Sequence, residues 1–149
     1  MKTRFKAVRA VATVAILLVA LALAGCAAGE ASGPSAVVQK ALELRRDRVS
    51  DAKGYTPLFA DPDIAAQLAK DSKAATQAPI PEWSTPYVSS EASSTAEVVV
   101  VWKPTTEPRF KGWPKATVFS LEQTRSVWVI VDAQEASGTL PPAKGATKP

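Results

Sequence analysis

The sequence predicts an α+β domain in which N-terminal helices pack on a curved antiparallel sheet of about four strands. From residue 36 up to residue 78, apolar side chains recur at helical spacing. From residue 87 onward, the chain carries short runs rich in valine, threonine and aromatic residues, as strands do. Because the helical half precedes the β half instead of alternating with it, the α+β class is favoured.

Two helices are expected in the first half. Residues 36–51 place apolar side chains on one face and charged ones on the other, which predicts an amphipathic helix. Asp61 followed by Pro62 is a typical helix start, because the carboxylate caps the first turn and proline fits the first helical position. The apolar face of this second helix is expected to hold Ile64, Ala65, Leu68 and Ala69.

Four strands are expected in the second half. Residues 87–94 form a polar strand, and residues 96–103, with four consecutive valines, form a central strand that is buried on both faces. Residues 115–123 and 127–134 pair as a hairpin, because a short turn at residues 124–126 separates them.

Composition and charge exclude several kinds of function. The chain has 149 residues, a formal net charge of +4, one cysteine (Cys26) and no histidine. This composition excludes an internal disulfide framework, a clustered Cys/His metal site and a Ser-His-Asp triad. Four basic residues among the first nine account for the excess charge, so the chain after residue 25 is formally neutral and no nucleic-acid partner is expected. No cofactor or metal is expected either.

The N-terminus has the pattern of an export signal. Residues 1–9 are basic and the following fifteen are apolar. The segment Leu23-Ala24-Gly25-Cys26 resembles the lipobox of bacterial lipoproteins, in which small residues lead up to a cysteine. The resemblance implies that lipoprotein-processing enzymes attach diacylglycerol to the Cys26 thiol and cut before Cys26. The mature protein would then be lipid-anchored on the extracytoplasmic face of the cell membrane.

Two alternatives remain for this segment. Residues 10–29 carry no charge over 20 positions, which is long enough for an uncleaved membrane span. The other alternative is ordinary signal cleavage after an Ala-x-Ala-like site. As a lipoprotein, the chain divides into a signal peptide (1–25), a flexible tether (26–35), a single α+β domain (36–135) and a disordered tail (136–149).

The last predicted strand carries Trp128, Ile130 and Asp132 at alternate positions. With two early amphipathic helices and a closing hairpin, this pattern resembles the nuclear-transport-factor-2-like (ketosteroid-isomerase-like) cone fold over residues 36–135. A cystatin-like fold is the alternative. Members of the cone family are enzymes, ligand binders or interaction modules, so the resemblance implies a fold and not one activity.

Aromatic residues on three predicted strands are candidates for a ligand site. Trp102, Phe119 and Trp128 could line a pocket for a small apolar ligand, with Asp132 facing the same way as Trp128; the alternative is that these aromatic side chains form the core. An inward Asp132 would have a raised pKa, and the resemblance implies that it could act as a general base in an isomerase or hydratase. A solvated or salt-bridged Asp132 is the alternative.

The segment between the second and third strands is a candidate partner surface. Residues 104–114 carry Arg109, Phe110, Lys111 and Trp113, whose exposed aromatic and cationic side chains would suit contact with an envelope protein. The alternative is a connection tucked against the core.

The densest charge run, residues 45–48, could recognise a phosphate, an anionic lipid headgroup or an acidic partner. The alternative is a solvated helix face with the ion pairs Glu43–Arg46 and Arg48–Asp51. Taken together, these patterns indicate a non-enzymatic, lipid-anchored module that binds a small ligand or another protein. The alternative is an isomerase or hydratase that uses an acidic residue in a cone-shaped cavity.

Replacing Cys26 with alanine tests the anchor. We expect the Cys26→Ala variant to leave the membrane fraction, because two acyl chains, at about 0.8 kcal/mol per buried CH₂, supply the membrane attachment. Fractionation and intact-mass measurement check this. A variant that stays in the membrane at full length would instead establish the uncleaved span.

Overall fold

The computed structural model describes residues 33–136 and 138–146; Cys26 and the predicted signal lie outside them. Within this part of the chain, three α-helices precede a four-stranded sheet, which confirms the α+β class. Among the described residues, no helix combines the length and the apolar character that crossing a membrane requires. The elements are α1 (Pro34–Arg46), α2 (Ala52–Tyr55), α3 (Pro62–Ala74), β1 (Tyr87–Glu91), β2 (Thr95–Val101), β3 (Ala116–Thr124) and β4 (Val127–Ala136).

The four strands are antiparallel and lie in the order β1-β2-β3-β4. The valine run occupies the interior strand β2, where Val98, Val99 and Val100 are completely buried, as predicted. The turn between β3 and β4 also forms as predicted. Arg125 and Ser126 both adopt positive φ angles, 52° and 67°, which is the backbone that a two-residue hairpin loop with the twist of the flanking strands requires.

Helix α1 packs its apolar face on the inner face of the sheet. Its buried residues recur every three or four positions, so one stripe of the helix meets the strands. The helix begins at Pro34, which means that the last two residues of the predicted tether belong to it. The main core consists of this stripe, the inner-facing strand residues and loop residues: Val37, Val38, Ala41, Leu42, Leu58, Ile80, Ala96, Val98, Val100, Trp102, Leu121, Trp128 and Ile130.

The prediction that the first helix continues to residue 51 is wrong. Arg48 adopts a left-handed φ of 55°, and the chain turns there. The Val49 N–H donates to the Leu44 carbonyl at 2.9 Å and the Arg48 N–H to the Arg45 carbonyl at 3.0 Å. This hydrogen-bonding pattern ends a helix, usually with glycine in the left-handed position. Because arginine occupies that position here, the sequence carries no obvious stop signal.

Helix α3 starts as predicted and buries a narrower face than predicted. The Asp61 carboxylate accepts the Asp63 N–H at 2.8 Å, and Pro62 follows the cap. Ile64 is 42% exposed, so it does not belong to the buried face. The buried face consists of Ala65, Ala69 and Ser72. These residues pack around Tyr55, the last residue of α2, which is fully buried.

A β-bulge in β4 changes which side chains face the core. Ser120 is opposite Asp132 and Leu121 is opposite Ile130, so Val131 is an extra residue in β4. An extra residue shifts the alternation of side chains by one position. Trp128 and Ile130 therefore face the helices, whereas residues after the bulge have the opposite parity.

The C-terminal segment, which the sequence predicts to be disordered, forms hydrogen bonds with β1. The Tyr87 hydroxyl donates to the Pro141 carbonyl at 2.9 Å, and the Lys144 N–H donates to the Val88 carbonyl at 2.7 Å. Lys144 Nζ lies 2.8 Å from a Glu91 carboxylate oxygen. Because the segment has no hydrophobic periodicity, the sequence pattern does not predict these contacts.

Truncation of Leu121 tests the main core. Leu121 is 1% exposed, and we expect Leu121→Ala to lower the free energy of unfolding by about 2–5 kcal/mol through lost burial and a residual cavity. Val127, 54% exposed at the other side of the same hairpin, is the control, and Val127→Ala should change stability by less than about 0.5 kcal/mol. Urea unfolding measures both. Equal effects would contradict the assigned core.

Candidate functional site

Two of the three aromatic residues expected to line a pocket are part of the core. Trp102 and Trp128 are each 8% exposed and belong to the main core, and the half-buried Phe119 packs against it. The Trp102 indole N–H donates to the Thr117 hydroxyl at 2.9 Å, so its polar atom is satisfied inside the domain. This placement corresponds to the packing alternative.

Asp132 does not share a face with these aromatic side chains. The expectation that it faces the same way as Trp128 is wrong because Val131 is bulged out between Ile130 and Asp132. The Asp132 side chain is exposed and accepts a hydrogen bond from Gln134 Nε2 at 2.9 Å on the outer face of the sheet. The four residues therefore do not line one pocket.

The loop at residues 104–114 is partly tucked onto the core. Phe110 is 8% exposed, whereas Trp113 is 37% exposed. The Trp113 ring makes edge-to-face contacts with Trp102 and Phe110, at centroid distances of 5.7 and 5.5 Å. These contacts link the loop to the core through aromatic packing. Of the expected surface, Arg109, Lys111 and Trp113 are exposed, and the expectation of an exposed Phe110 is wrong.

Arg109 holds this loop against the loop that follows α3. Its guanidinium lies 4.6 Å from the Phe110 ring centroid, pairs with Glu107 at 2.5 Å and donates to the Gln77 side-chain oxygen. With its charge paired and its planar face on a ring, Arg109 serves mainly to position the loop.

The charged run at residues 45–48 is divided among separate contacts. Arg46 pairs with its neighbour Asp47 and not with Glu43, and Arg48 donates to the carbonyls of Ala75 and Thr76 instead of pairing with Asp51. These two carbonyls directly follow α3, a position where cationic side chains are favourable. The run therefore does not form one anion-binding cluster.

Arg45 turns toward the smaller core around Tyr55. Burial lowers its pKa, and the nearby Tyr55 and Asp71 partly oppose that effect. Its Nε atom is buried without a hydrogen-bond partner among the residues described. The Tyr55 hydroxyl donates to the Val49 carbonyl at 3.1 Å and lies 3.0 Å from the Ser72 hydroxyl, and the bond to Val49 stabilises the turn after α1.

A polar cleft lies beside α1, where the chain enters the sheet. Its volume is about 270 Å³. An isolated bridge pairs Trp83 with Trp102, and the Lys103 N–H donates to the Glu82 carbonyl at 2.8 Å, so the sheet backbone fixes one wall. The second wall is the exposed face of α1. The lining residues are Gln39, Arg46, Glu82, Trp83, Thr85 and Lys103.

The Trp83 indole lies between helix and sheet side chains of the cleft. Its N–H donates to Gln39 Oε1 at 3.0 Å, and the Arg46 guanidinium lies 5.7 Å from the ring centroid. On the sheet side, Lys103 and Glu82 form an ion pair at 3.0 Å. The cleft thus presents an aromatic ring flanked by two accessible cationic side chains, each with an acidic neighbour.

The Arg46–Asp47 pair sets the charge at the helix end of the cleft. The hydrogen bond from Arg46 lowers the pKa of the Asp47 carboxyl, and the same bond raises the pKa of Arg46. Both groups therefore stay charged throughout the neutral range. They are solvent-exposed, and their main role is to fix the position of the guanidinium over the indole.

The sequence does not single out this cleft. Gln39 and Arg46 come from α1, Trp83 and Glu82 from the segment before β1, and Lys103 from the end of β2. No spacing links these positions before the helix is docked on the sheet. The only signal is a tryptophan and a basic run, which the sequence shows as separate features.

No similarity to a known protein adds to the description of the cleft. Comparison with protein-family models, curated proteins and solved structures found no match. Within residues 33–136 and 138–146, no cluster of histidine, cysteine, aspartate and glutamate has the composition of a metal site.

Titration of Asp47 tests the pairing in the cleft. We expect its carboxyl pKa in the wild-type chain to lie below the usual aspartate value, because Arg46 donates a hydrogen bond to the charged form. The pair persists above this pKa and is lost as the pH falls through it. In Arg46→Gln, the pKa should rise toward the usual value. Carbon-detected NMR titration measures it; an unchanged pKa in Arg46→Gln would contradict the assigned partner.

Proposed function

We propose that this chain is a lipid-anchored protein of the extracytoplasmic membrane face whose α+β domain binds another protein through the polar cleft. The anchor rests on the basic, apolar and small-residue pattern that ends at Cys26. The binding role rests on one observation: Trp83 lies in an open cleft between Arg46 and Lys103. Tryptophan and arginine are the residue types that most often dominate binding energy in protein interfaces.

The position of the cleft suits a tethered binding module. The tether reaches α1 at Gly33, and the cleft lies along α1 from Gln39 to Arg46. At 1.5 Å per residue, Gly33 and Arg46 are about 20 Å apart along the helix. Arg46 therefore lies at the end of α1 that is remote from the predicted tether, with Gln39 between the two.

The chemistry of the cleft favours a protein segment over a small apolar ligand. Arg46 and Lys103 keep about half of their side-chain surface exposed, 52% and 55%, and Glu82 keeps 81%. A site for an apolar molecule would be enclosed and lined mostly by apolar side chains. An open aromatic floor with a polar rim is typical of a protein interface.

The loop at residues 104–114 enlarges this surface. It begins directly after Lys103 and carries the exposed Lys111 and the partly exposed Trp113. Trp113 is already packed edge-on against buried rings, so little side-chain freedom is lost when a partner covers it. A partner that fills the cleft can therefore also contact this loop.

Photo-crosslinking in the native membrane tests the proposal. A photoreactive residue at Thr85, on the rim of the cleft, should give a discrete adduct with a partner protein. Lys103→Glu should reduce its yield at least about fivefold, because reversing one rim charge repels a partner fitted to the cleft. Mass spectrometry of the adduct measures both results.

A probe placed away from the cleft provides the control. Lys70 is exposed on α3, and the same photoreactive residue there should not give the adduct. An identical adduct from both positions, or one that is unaffected by Lys103→Glu, would contradict the proposal.

A further inference from the structure

The C-terminal segment occupies the free side of β1. Three contacts hold it: the Tyr87 hydroxyl on the Pro141 carbonyl, the Lys144 N–H on the Val88 carbonyl, and the Lys144 ammonium on Glu91. Pro141 and Lys144 meet β1 in the same order as Tyr87 and Glu91, so the segment runs parallel to the strand. We call residues 140–144 the strap.

The strap reaches β1 from the opposite edge of the sheet. β4 ends at Ala136, which is paired with Ala116, and β1 is three strands away. At about 4.8 Å per strand this distance is roughly 14 Å. Leu140 and Pro141 are half-buried where the segment arrives.

Pro141 contacts a side chain of the outer face of the sheet. Tyr87, the partner of the Pro141 carbonyl, is opposite Val99 in the register and so shares its face. Val99 and Ala116 both point away from α1 and both have no exposed surface.

The composition of the strap suits an extended ligand. Pro141 and Pro142 fix φ near −65° and lack N–H groups, so the strap lies extended at little entropic cost and cannot continue as a sheet strand. Gly145, with a φ of 83°, then turns the chain, and the Ala146 N–H closes on the Ala143 carbonyl at 2.9 Å. The segment is a short extended stretch with a defined end.

We propose that the β1 edge is a binding site for an extended peptide of a partner protein, and that the strap fills this site within the chain. The site recognises a proline carbonyl with the Tyr87 hydroxyl, a backbone N–H with the Val88 carbonyl, and a lysine three residues after that proline with Glu91. Recognition therefore rests on one backbone hydrogen bond, one hydrogen bond from a side-chain hydroxyl to a carbonyl, and one ion pair. The site is separate from the cleft and does not depend on the function proposed for it.

The strap competes with any other peptide for the site at the β1 edge. A segment joined to its own site has an effective concentration in the millimolar range, so a free peptide with the same three contacts competes poorly. A partner gains access when it makes further contacts or when a strap contact is weakened. Lys144 is the contact to change, because its replacement weakens the strap and leaves Glu91 in place.

Hydrogen exchange on the full chain tests the strap. The Lys144 amide should exchange more slowly than an unstructured amide, since it donates to the Val88 carbonyl. Lys144→Glu and Glu91→Lys should each accelerate this exchange about threefold, as expected for an exposed ion pair, and the double variant should restore it. Lys70→Glu, on α3, is the control and should change nothing. Unprotected exchange at Lys144 in the wild type would overturn the proposal.

A peptide added in trans tests the site itself. The probe is a fluorescent peptide with the sequence of residues 138–149, and anisotropy measures its binding to full chains. Lys144→Glu should bind it about threefold more tightly than the wild type, and Lys144→Glu combined with Tyr87→Phe should lose that gain. Equal binding by all three chains would overturn the proposal. So would a dimer of the wild-type chain in sedimentation, because the strap contacts would then belong to a second copy.

Discussion

The packing of α1 on the inner face of the sheet is the constraint on which the other features of the domain depend. Val37, Val38, Ala41 and Leu42 are at most 4% exposed. The helix that carries them packs mainly on β2 and β4. A helix and a sheet each bury only one apolar face, so neither is stable alone, and their contact fixes their relative position. The position of α1 on the sheet also fixes which loops lie at each end of the helix.

The consequences are seen at the C-terminal end of α1. There the chain turns at Arg48, so that Arg48 meets the carbonyls after α3 and α2 closes over Tyr55. Two residues earlier, the guanidinium of Arg46 lies over the Trp83 ring. A helix continuing to residue 51, as the hydrophobic periodicity predicts, would not allow α2 to return toward the core.

Which side chains lie on the outer face of the sheet depends on a second feature, the β-bulge in β4. With Val131 extra, the strand has one parity up to Ile130 and the other from Asp132 onward. The first part contributes to the helix-covered core, and the second part directs polar side chains to the outer face. By this register the side chains of Ala136 and Tyr87 lie on the same face of the sheet.

The sequence predicts most helices and strands, but it does not predict the turn after α1, the bulge in β4 or the contacts between distant segments. The valine run and the cap at Asp61 are local signals, and both are confirmed. The left-handed Arg48 and the bulged Val131 have no local signal, because the residue types that usually mark such positions, glycine above all, are absent. The cleft and the strap join distant segments, such as Gln39 with Trp83, and depend on packing that periodicity does not describe.

The two proposed binding surfaces share one stretch of chain and remain independent. Glu82 and Trp83 line the cleft, and the same segment continues through Tyr87 to Glu91, which holds the strap. Coupling between them would require this segment to move as a unit. It is hydrogen-bonded to β2 at both ends, by the bridge at Trp83 and by the β1–β2 register. A partner bound in the cleft could act on the strap only by breaking these hydrogen bonds, so we expect the two surfaces to bind independently.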